Sequence, residues 1–168
     1  MNIEDSFLDK NTFNELQTFI MGGDFAWYYN DIIDYDGQLD RFQFTHTFYR
    51  YDAPQSSFCE KLNPILKILN PISLWRIKAN LLTKTLNIVE NEFHYDDSED
   101  VMGEKIKHWT TSIFYMNTNN GYTEFENDGT KVDSIANRMV TFPANLTHRG
   151  TSCTDEKTRV VINFNYFK

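Results

Sequence analysis

The apolar residues in the first half of the chain follow a helical spacing in two places. In the first, they recur at intervals of three or four: Phe13, Leu16, Phe19 and Ile20. This spacing predicts an amphipathic helix that Asn11 or Thr12 caps. The second pattern contains Phe58, Leu62, Ile65, Leu66 and Leu69. Because Pro64 interrupts it, either this helix is kinked or a shorter helix begins at Asn63 with Pro64 in its first turn.

Elsewhere the pattern changes to the alternation that is typical of strands. In one early segment, aromatic residues and a histidine alternate with polar residues: Phe42, Phe44, His46 and Phe48. From Trp75 onward, further short segments of this kind are separated by turns: LWRIKANLL, EFHYD, WTTSIFYMN, YTEFEN, NRMVTF and TRVVINFNYF. A spacing of about ten residues between strands favours an antiparallel sandwich or barrel. The predicted fold class is therefore mostly β, or α+β in detail, with helices near the N-terminus.

The length of 168 residues suits a single domain with its own hydrophobic core. A formal net charge of −8 makes nucleic acid an unlikely partner and favours a peptide or small-molecule substrate. The two cysteines, Cys59 and Cys153, form no CxxC motif and suggest reduced thiols. The first residues lack a signal-peptide pattern, and no apolar run approaches the roughly 18 residues of a membrane span. We therefore expect a cytoplasmic protein with no membrane contact; the pattern does not indicate an oligomeric state.

The segment NEFHYDDSED combines a histidine with several acidic residues. If it is a strand, His94 and Asp96 lie on the same face, and an imidazole and a carboxylate can bind one metal ion there. An H-x-D motif alone is weak evidence, because solvated acidic loops contain it often. His148 supplies a third candidate ligand. Two histidines and one carboxylate form the facial triad that leaves three coordination positions open in non-haem Fe(II) oxygenases.

Arg159 begins the last predicted strand and offers a positive charge on the same face as Val161 and Asn163. The opposite face carries only large apolar or aromatic residues: Val160, Ile162, Phe164 and Tyr166. A guanidinium binds a carboxylate through two parallel hydrogen bonds, and a buried arginine requires an anion. A dicarboxylate cosubstrate would supply that anion. An ion pair with Asp155 or Glu156 is the alternative.

The order H-x-D, His, Arg on a frame of short strands resembles the Fe(II)/2-oxoglutarate-dependent dioxygenases, in particular the prolyl 4-hydroxylase-like branch. The resemblance covers roughly residues 75–167 and includes three segments: FYMNTNNGYTEFEND, NRMVTFPANLTHRG and RVVINFNYF. The first is similar to the strand, turn and GGxTxF strand of the family, with Asn120 in place of the first glycine. The branch often has lysine where this chain has Arg159.

The resemblance implies a double-stranded β-helix core (a jelly roll of the cupin type) over residues 75–168. Residues 1–74 would form a supporting region of helices and strands in the same domain, with the helices packed on one sheet. It further implies that His94, Asp96 and His148 bind Fe(II) and are catalytic, and that Arg159 binds the distal carboxylate of 2-oxoglutarate. Three further residues are assigned to the cosubstrate site: Asn80, Tyr115 and Asn163. Thr123 is a candidate for the pocket wall.

The implied reaction hydroxylates a C–H bond of a peptide or small molecule. It uses O2 and couples the hydroxylation to decarboxylation of 2-oxoglutarate to succinate and CO2, with ascorbate as a further candidate cofactor. Two other functions remain open: a noncatalytic jelly-roll binding module with a structural metal, and a zinc hydrolase with the same three ligands. Residues 97–100 are interpreted as a solvent-facing lid. His46 is interpreted as a core or pocket-wall residue, His108 as structural, and Cys153 as chemically inert.

Overall fold

The computed structural model describes residues 1–33, 41–96 and 103–168. Two helices are described, α1 (Lys10–Ile20) and α2 (Asn63–Leu69), together with 3-10 turns at Cys59–Leu62 and Gly103–His108. The strands before residue 84 are β1 (Asn2–Glu4), β2 (Tyr28–Asn30), β3 (Gln43–Arg50), β4 (Ala53–Pro54) and β5 (Ser73–Thr83). The later strands are β6 (Thr110–Tyr115), β7 (Tyr122–Phe125), β8 (Lys131–Asp133), β9 (Arg138–Pro143), β10 (His148–Gly150) and β11 (Thr158–Phe167).

These strands form two antiparallel sheets. The larger sheet has the order β1-β9-β6-β11-β5-β3-β2, with β4 paired to β3, and the smaller sheet has the order β10-β7-β8. Beyond β10, two isolated bridges, Glu90 to Thr151 and His94 to His148, extend the smaller sheet. The predicted mostly β fold is confirmed. The larger sheet contains strands from both 1–74 and 75–168; the division of the domain at residue 74 stays a prediction.

The two helices pack on the outer face of the larger sheet. The helical spacing of α1 buries Phe13, Leu16 and Ile20, and burial of each such side chain contributes about 1.5–3 kcal/mol. The predicted cap was wrong, because the carboxylate of Asp9 accepts hydrogen bonds from the backbone N–H groups of residues 11 and 12. Helix α2 begins at Asn63, as the second of the two alternatives predicted, and a 3-10 turn precedes it.

Strand β11 separates the helical layer from the space between the two sheets. Its outer face carries four residues of the main core, as the alternation predicted: Val160, Ile162, Phe164 and Tyr166. Its inner face carries Arg159, Val161, Asn163 and Asn165. A second apolar cluster fills part of the space between the sheets and includes Tyr115, Phe125 and Phe142. The remaining part of that space is a cavity.

The predicted strand EFHYD was wrong, because this segment has only an isolated bridge at His94 and forms no regular strand. Four residue steps separate Glu90 from His94, whereas three separate their bridge partners Thr151 and His148. An extra residue of this kind is a β-bulge, which interrupts the ladder and redirects side chains. The sequence patterns also missed the short strands β1, β4, β8 and β10. Within the described part of the chain, neither helix has the length and apolarity that a membrane span requires.

Candidate active site

The cavity between the two sheets has a volume of about 580 Å³. Its walls come from β5, β11, β10 and the bulged segment 91–96. Inner-face residues of paired strands lie side by side, so the strand register determines which residues form the cavity wall. Asn163 of β11 pairs with Lys78 of β5, and Asn165 pairs with Arg76. The cavity is therefore polar on the larger sheet, and it is the site where the candidate ligands meet.

His94, Asp96 and His148 converge at one end of the cavity. One potential ligand atom from each lies within 4.8 Å of the other two. The Nε2 atom of His148 is 4.0 Å from Oδ1 of Asp96, and both side chains are at most 5% exposed. The bridge between His94 and His148 brings the two rings to a centroid distance of 5.1 Å. The bulge thus brings side chains of a loop and of β10 close enough to bind one metal ion together.

Backbone carbonyl groups fix the tautomers of both imidazoles. Nδ1 of His94 lies 2.9 Å from the carbonyl oxygen of Glu92, and Nδ1 of His148 lies 3.1 Å from that of Leu146. A carbonyl oxygen only accepts, so each Nδ1 carries the proton and each Nε2 keeps a lone pair for a metal. Burial also lowers the pKa of His148 below its ordinary value, which favours the neutral form that binds metals.

Three donors surround the carboxylate of Asp96. Arg76 Nη2 lies 3.3 Å from Oδ1, Asn163 Nδ2 donates to Oδ1 at 3.0 Å, and Asn165 Nδ2 donates to Oδ2 at 2.8 Å. Burial alone would raise the pKa of Asp96, but the Arg76 charge and these hydrogen bonds outweigh it and hold the pKa well below its usual range. Asp96 is therefore an ionised ligand at neutral pH.

Arg159 is buried, with 4% of its surface exposed, and it lines the same cavity. Its Nε donates to Ser134 Oγ at 2.8 Å and its Nη2 to Thr123 Oγ1 at 3.1 Å, and its guanidinium carbon lies 5.7 Å from the Tyr115 ring centre. Among the side chains that the structure describes, in residues 1–33, 41–96 and 106–168, no carboxylate lies within ion-pair distance of it. The alternative pairing with Asp155 or Glu156 does not form. A buried cation without an anion is a candidate anion site.

Two glycines make room for the Arg159 side chain. A Cβ atom at Gly121 would lie 2.7 Å from Arg159 Cδ and 2.7 Å from the carbonyl oxygen of Ser152. A Cβ atom at Gly150 would lie 3.3 Å from Arg159 Nη1. The glycine of the NGYTEF segment is therefore required by the close approach of Arg159, the Ser152 carbonyl oxygen and Asn119 Oδ1, and not by a turn conformation.

A surface ion cluster lies on the outside of the smaller sheet, opposite the cavity. Arg149 Nη2 lies 2.6 Å from Glu90 Oε2 and 2.7 Å from Glu124 Oε2, and its guanidinium stacks over Phe93 with 4.3 Å to the ring centre. These contacts tie the segment that carries His94 to β7 and β10. Burial opposes the charge of Arg149, but the two glutamates raise its pKa, so the cluster stays intact at neutral pH.

No family model matches the chain, and no curated protein matches it in sequence. Solved structures do match. A prolyl hydroxylase from Trichoplax adhaerens, in complex with a hypoxia inducible factor peptide fragment, has a TM-score of 0.70 at 14% identity, covering 99% of this chain and 82% of that one. A viral collagen prolyl hydroxylase from Paramecium Bursaria Chlorella virus-1 has a TM-score of 0.57 at 14% identity, covering 99% and 89%. The epimerase SnoN, in complex with Fe3+ and alpha ketoglutarate, has a TM-score of 0.65 at 12% identity, covering 99% and 78%.

The chain has the fold of the Fe(II)/2-oxoglutarate oxygenases. The resemblance drawn from the H-x-D, His, Arg order is confirmed at the level of the fold, and identities of 12–14% carry it no further. On this oxygenase fold the three candidate metal ligands meet at one point, and Arg159 lines the same cavity.

Some of the other predicted site residues line the cavity, and others do not. Asn80, Asn163 and Thr123 line the cavity. Tyr115 lies behind Thr123, to which its hydroxyl donates at 2.8 Å, and it is not part of the cavity wall. The proposed lid, residues 97–100, falls outside the described residues. His46 is held in the core by Ala26 O and Ser56 Oγ, at 2.7 and 2.8 Å.

The sequence patterns missed three polar residues of the site: Arg76, Ser134 and Asn165. Arg76 and Asn165 lie on the inner faces of β5 and β11, in phase with Asn80 and Asn163. The alternation along each strand could have indicated their direction, but the pairing of the two strands was not readable. Ser134, just after β8, had no signal in the sequence.

Proposed function

We propose that this protein is an Fe(II)- and 2-oxoglutarate-dependent dioxygenase that hydroxylates a C–H bond of a peptide or small molecule. The observation that carries the proposal is a single cavity that contains two histidines, one ionised carboxylate and a buried arginine. Among the described residues, this arginine has no carboxylate partner. In this assignment His94, Asp96 and His148 hold the iron. Arg159 binds the distal carboxylate of 2-oxoglutarate, and Asn80 and Asn163 line the cosubstrate site.

The donor set fits this metal. Two imidazoles and a carboxylate would leave coordination positions for a keto acid and for O2, as the facial triad of non-haem Fe(II) oxygenases does. A bound metal and cosubstrate would together supply the oxidising chemistry, with 2-oxoglutarate becoming succinate and CO2. The protein supplies a fixed cation for the far carboxylate and an ionised Asp96.

The proposed substrate is a peptide or a small molecule. One matched prolyl hydroxylase is in complex with a peptide fragment, another is a collagen prolyl hydroxylase, and SnoN is in complex with nogalamycin RO, so proteins of this fold bind both kinds of molecule. Proline as the hydroxylated residue is one option within this proposal. The acidic surface, with a net charge of −8, argues against nucleic acid as substrate. The cytoplasmic location stays a prediction.

The test separates cosubstrate binding from metal binding. Anaerobic addition of Fe(II) and then 2-oxoglutarate should produce a weak visible charge-transfer band in the wild-type protein. In Arg159→Ala, loss of charge-assisted hydrogen bonds worth ~1.5–3 kcal/mol should weaken 2-oxoglutarate binding roughly 10–100-fold. The Kd for Fe(II) should stay within about twofold of wild type, because Arg159 touches none of the three ligands.

Arg138→Ala is the matched control, since Arg138 pairs with the exposed Asp5 on the surface. It should leave the Kd values for metal and 2-oxoglutarate unchanged. Metal binding without any charge-transfer band or succinate formation would support the noncatalytic binding module instead. Hydrolytic activity that persists with Zn²⁺ in the absence of O2 would support the zinc hydrolase.

A further inference from the structure

We propose that Asn163 and Asn165, the latter oriented by Arg76, are positioning residues that fix the Asp96 carboxylate for the metal. This inference rests on the proposed function, in that it assumes a metal at the His94, Asp96 and His148 cluster. It concerns residues of β5 and β11 that contact the carboxylate and not the metal.

The two oxygens of Asp96 have different surroundings. Oδ2 accepts the shortest contact, from Asn165 Nδ2 at 2.8 Å. Oδ1 is the oxygen that faces His148, with 4.0 Å to its Nε2, and it accepts from Asn163 Nδ2 at 3.0 Å. Asn165 therefore holds one oxygen away from the cluster, and the other is left directed at the histidines. Charge-assisted hydrogen bonds of this kind restrict rotation of the carboxylate.

Arg76 determines which way the Asn165 amide faces. Its Nε donates to Asn165 Oδ1 at 3.2 Å, so the amide oxygen must point toward the arginine. The Asn165 NH2 group then faces the opposite way, toward Asp96 and toward Thr111 Oγ1 at 3.0 Å. The orientation of Asp96 thus follows from a chain of hydrogen bonds that begins on the neighbouring strand.

Asn163 supports the same conclusion through an unpaired atom. Its NH2 group must face Asp96, because an ionised carboxylate only accepts hydrogen bonds. Its Oδ1 is buried and has no hydrogen-bond partner among the residues that the structure describes. An unpaired buried acceptor destabilises a fold, and native proteins keep such atoms mainly where a function requires them. A leucine would avoid that cost, so the asparagine is best explained by its contact with Asp96.

The variants are Asn163→Leu and Asn165→Leu, which remove the donors at similar side-chain size. Co(II) and Mn(II) titrations of the purified protein give the metal Kd, and the visible spectrum of the Co(II)-saturated protein reports the ligand geometry. Each variant should raise the metal Kd about 10–100-fold, the usual range for partners of a metal ligand. Each should also shift the Co(II) ligand-field bands. Asn163→Leu should change the unfolding midpoint in urea little, because removal of the unpaired acceptor offsets the lost hydrogen bond to Asp96.

Thr111→Val is the matched control. It removes the other acceptor of the Asn165 amide at almost constant volume, and it leaves the contact with Asp96 in place. Its metal Kd should stay within about twofold of wild type, with the wild-type Co(II) spectrum.

Unchanged Kd values and spectra in both leucine variants would overturn the positioning role and leave the proposed function standing. A loss in Thr111→Val as large as that in Asn165→Leu would also overturn it, since general packing would then explain both. A wild-type protein that binds neither Co(II) nor Mn(II) would overturn the proposed function as well.

Discussion

Two buried arginines project into the same cavity from neighbouring strands, and they differ in what compensates their charge. Arg76 on β5 is 9% exposed and lies against the carboxylate of Asp96. Arg159 on β11 is 4% exposed; its guanidinium donates to two hydroxyl groups and lies near an aromatic ring, and no described carboxylate is within ion-pair distance of it. The charge of Arg76 belongs to the protein's own architecture, whereas the charge of Arg159 is available for a ligand. A buried arginine therefore indicates an anionic ligand only where the protein itself places no carboxylate beside it.

The largest expected effect is on the free energy of unfolding: the same substitution, arginine to methionine, should lower it at Arg76 but not at Arg159. In the metal-free protein, Arg76→Met leaves the buried Asp96 charge without its cation and should destabilise the fold by about 3–5 kcal/mol. Arg159→Met removes a buried cation that has no carboxylate partner in the described structure, so the free energy of unfolding should stay constant or rise. Urea unfolding of both variants measures this. Equal losses in both would show that the two charges are compensated alike.

A smaller effect is expected where the backbone approaches Arg159. In Gly121→Ala the new methyl group would clash with Arg159 Cδ and with the Ser152 carbonyl oxygen, which cannot move freely. Overpacking of this kind costs about 1–3 kcal/mol and should displace the guanidinium, so 2-oxoglutarate binding should weaken about tenfold or more.

Gly150→Ala is the comparison, because its methyl group would meet two side-chain ends and no backbone atom: Arg159 Nη1 at 3.3 Å and Asn91 Nδ2 at 3.8 Å. We expect 2-oxoglutarate binding within about threefold of wild type, from a change of roughly 0.5 kcal/mol. Calorimetric titration of the Mn(II)-loaded proteins measures both. A larger loss in the Gly150 variant would contradict the assigned contacts.

The smallest effect is a pH dependence confined to the Asp96 end of the cavity. Burial lowers the pKa of His148 in the folded protein, so below the unfolded-state value of about 6.5 the unfolded chain binds a proton that the folded chain does not. Stability of the metal-free protein should fall as the pH drops below about 6.5, by at most ~1.4 kcal/mol per unit for one group. His148→Gln should flatten this slope, measured by urea unfolding between pH 7 and 5.5.

Arg159→Met should keep the wild-type slope, since the described residues that line its end of the cavity include no histidine. If the pH dependence of stability changes in Arg159→Met, the titrating group lies at the Arg159 end of the cavity and its assignment to His148 is wrong.

The sequence was sufficient for the parts of the site that depend on local spacing. The alternation along β11 separated Arg159 from the core residues, and the H-x-D motif with His148 identified the cluster. What the sequence could not supply is register. The contact between Arg76 and Asn165 joins residues 89 positions apart, through strand pairing that leaves no local pattern. The bulge before His94 was hidden for the same reason, because it is defined by a partner strand.

The reciprocal backbone hydrogen bonds between His94 and His148, both 3.0 Å long, have a thermodynamic consequence. In the described structure, backbone hydrogen bonds join residues 91–96 to β10 only at Asn91 and His94, so this pairing should open locally at a lower free energy than global unfolding. An ion bound by both side chains would cross-link the two chain segments and stabilise the closed form by mass action. Amide hydrogen exchange at these two residues should therefore slow on metal loading, well before any change is visible in the helices.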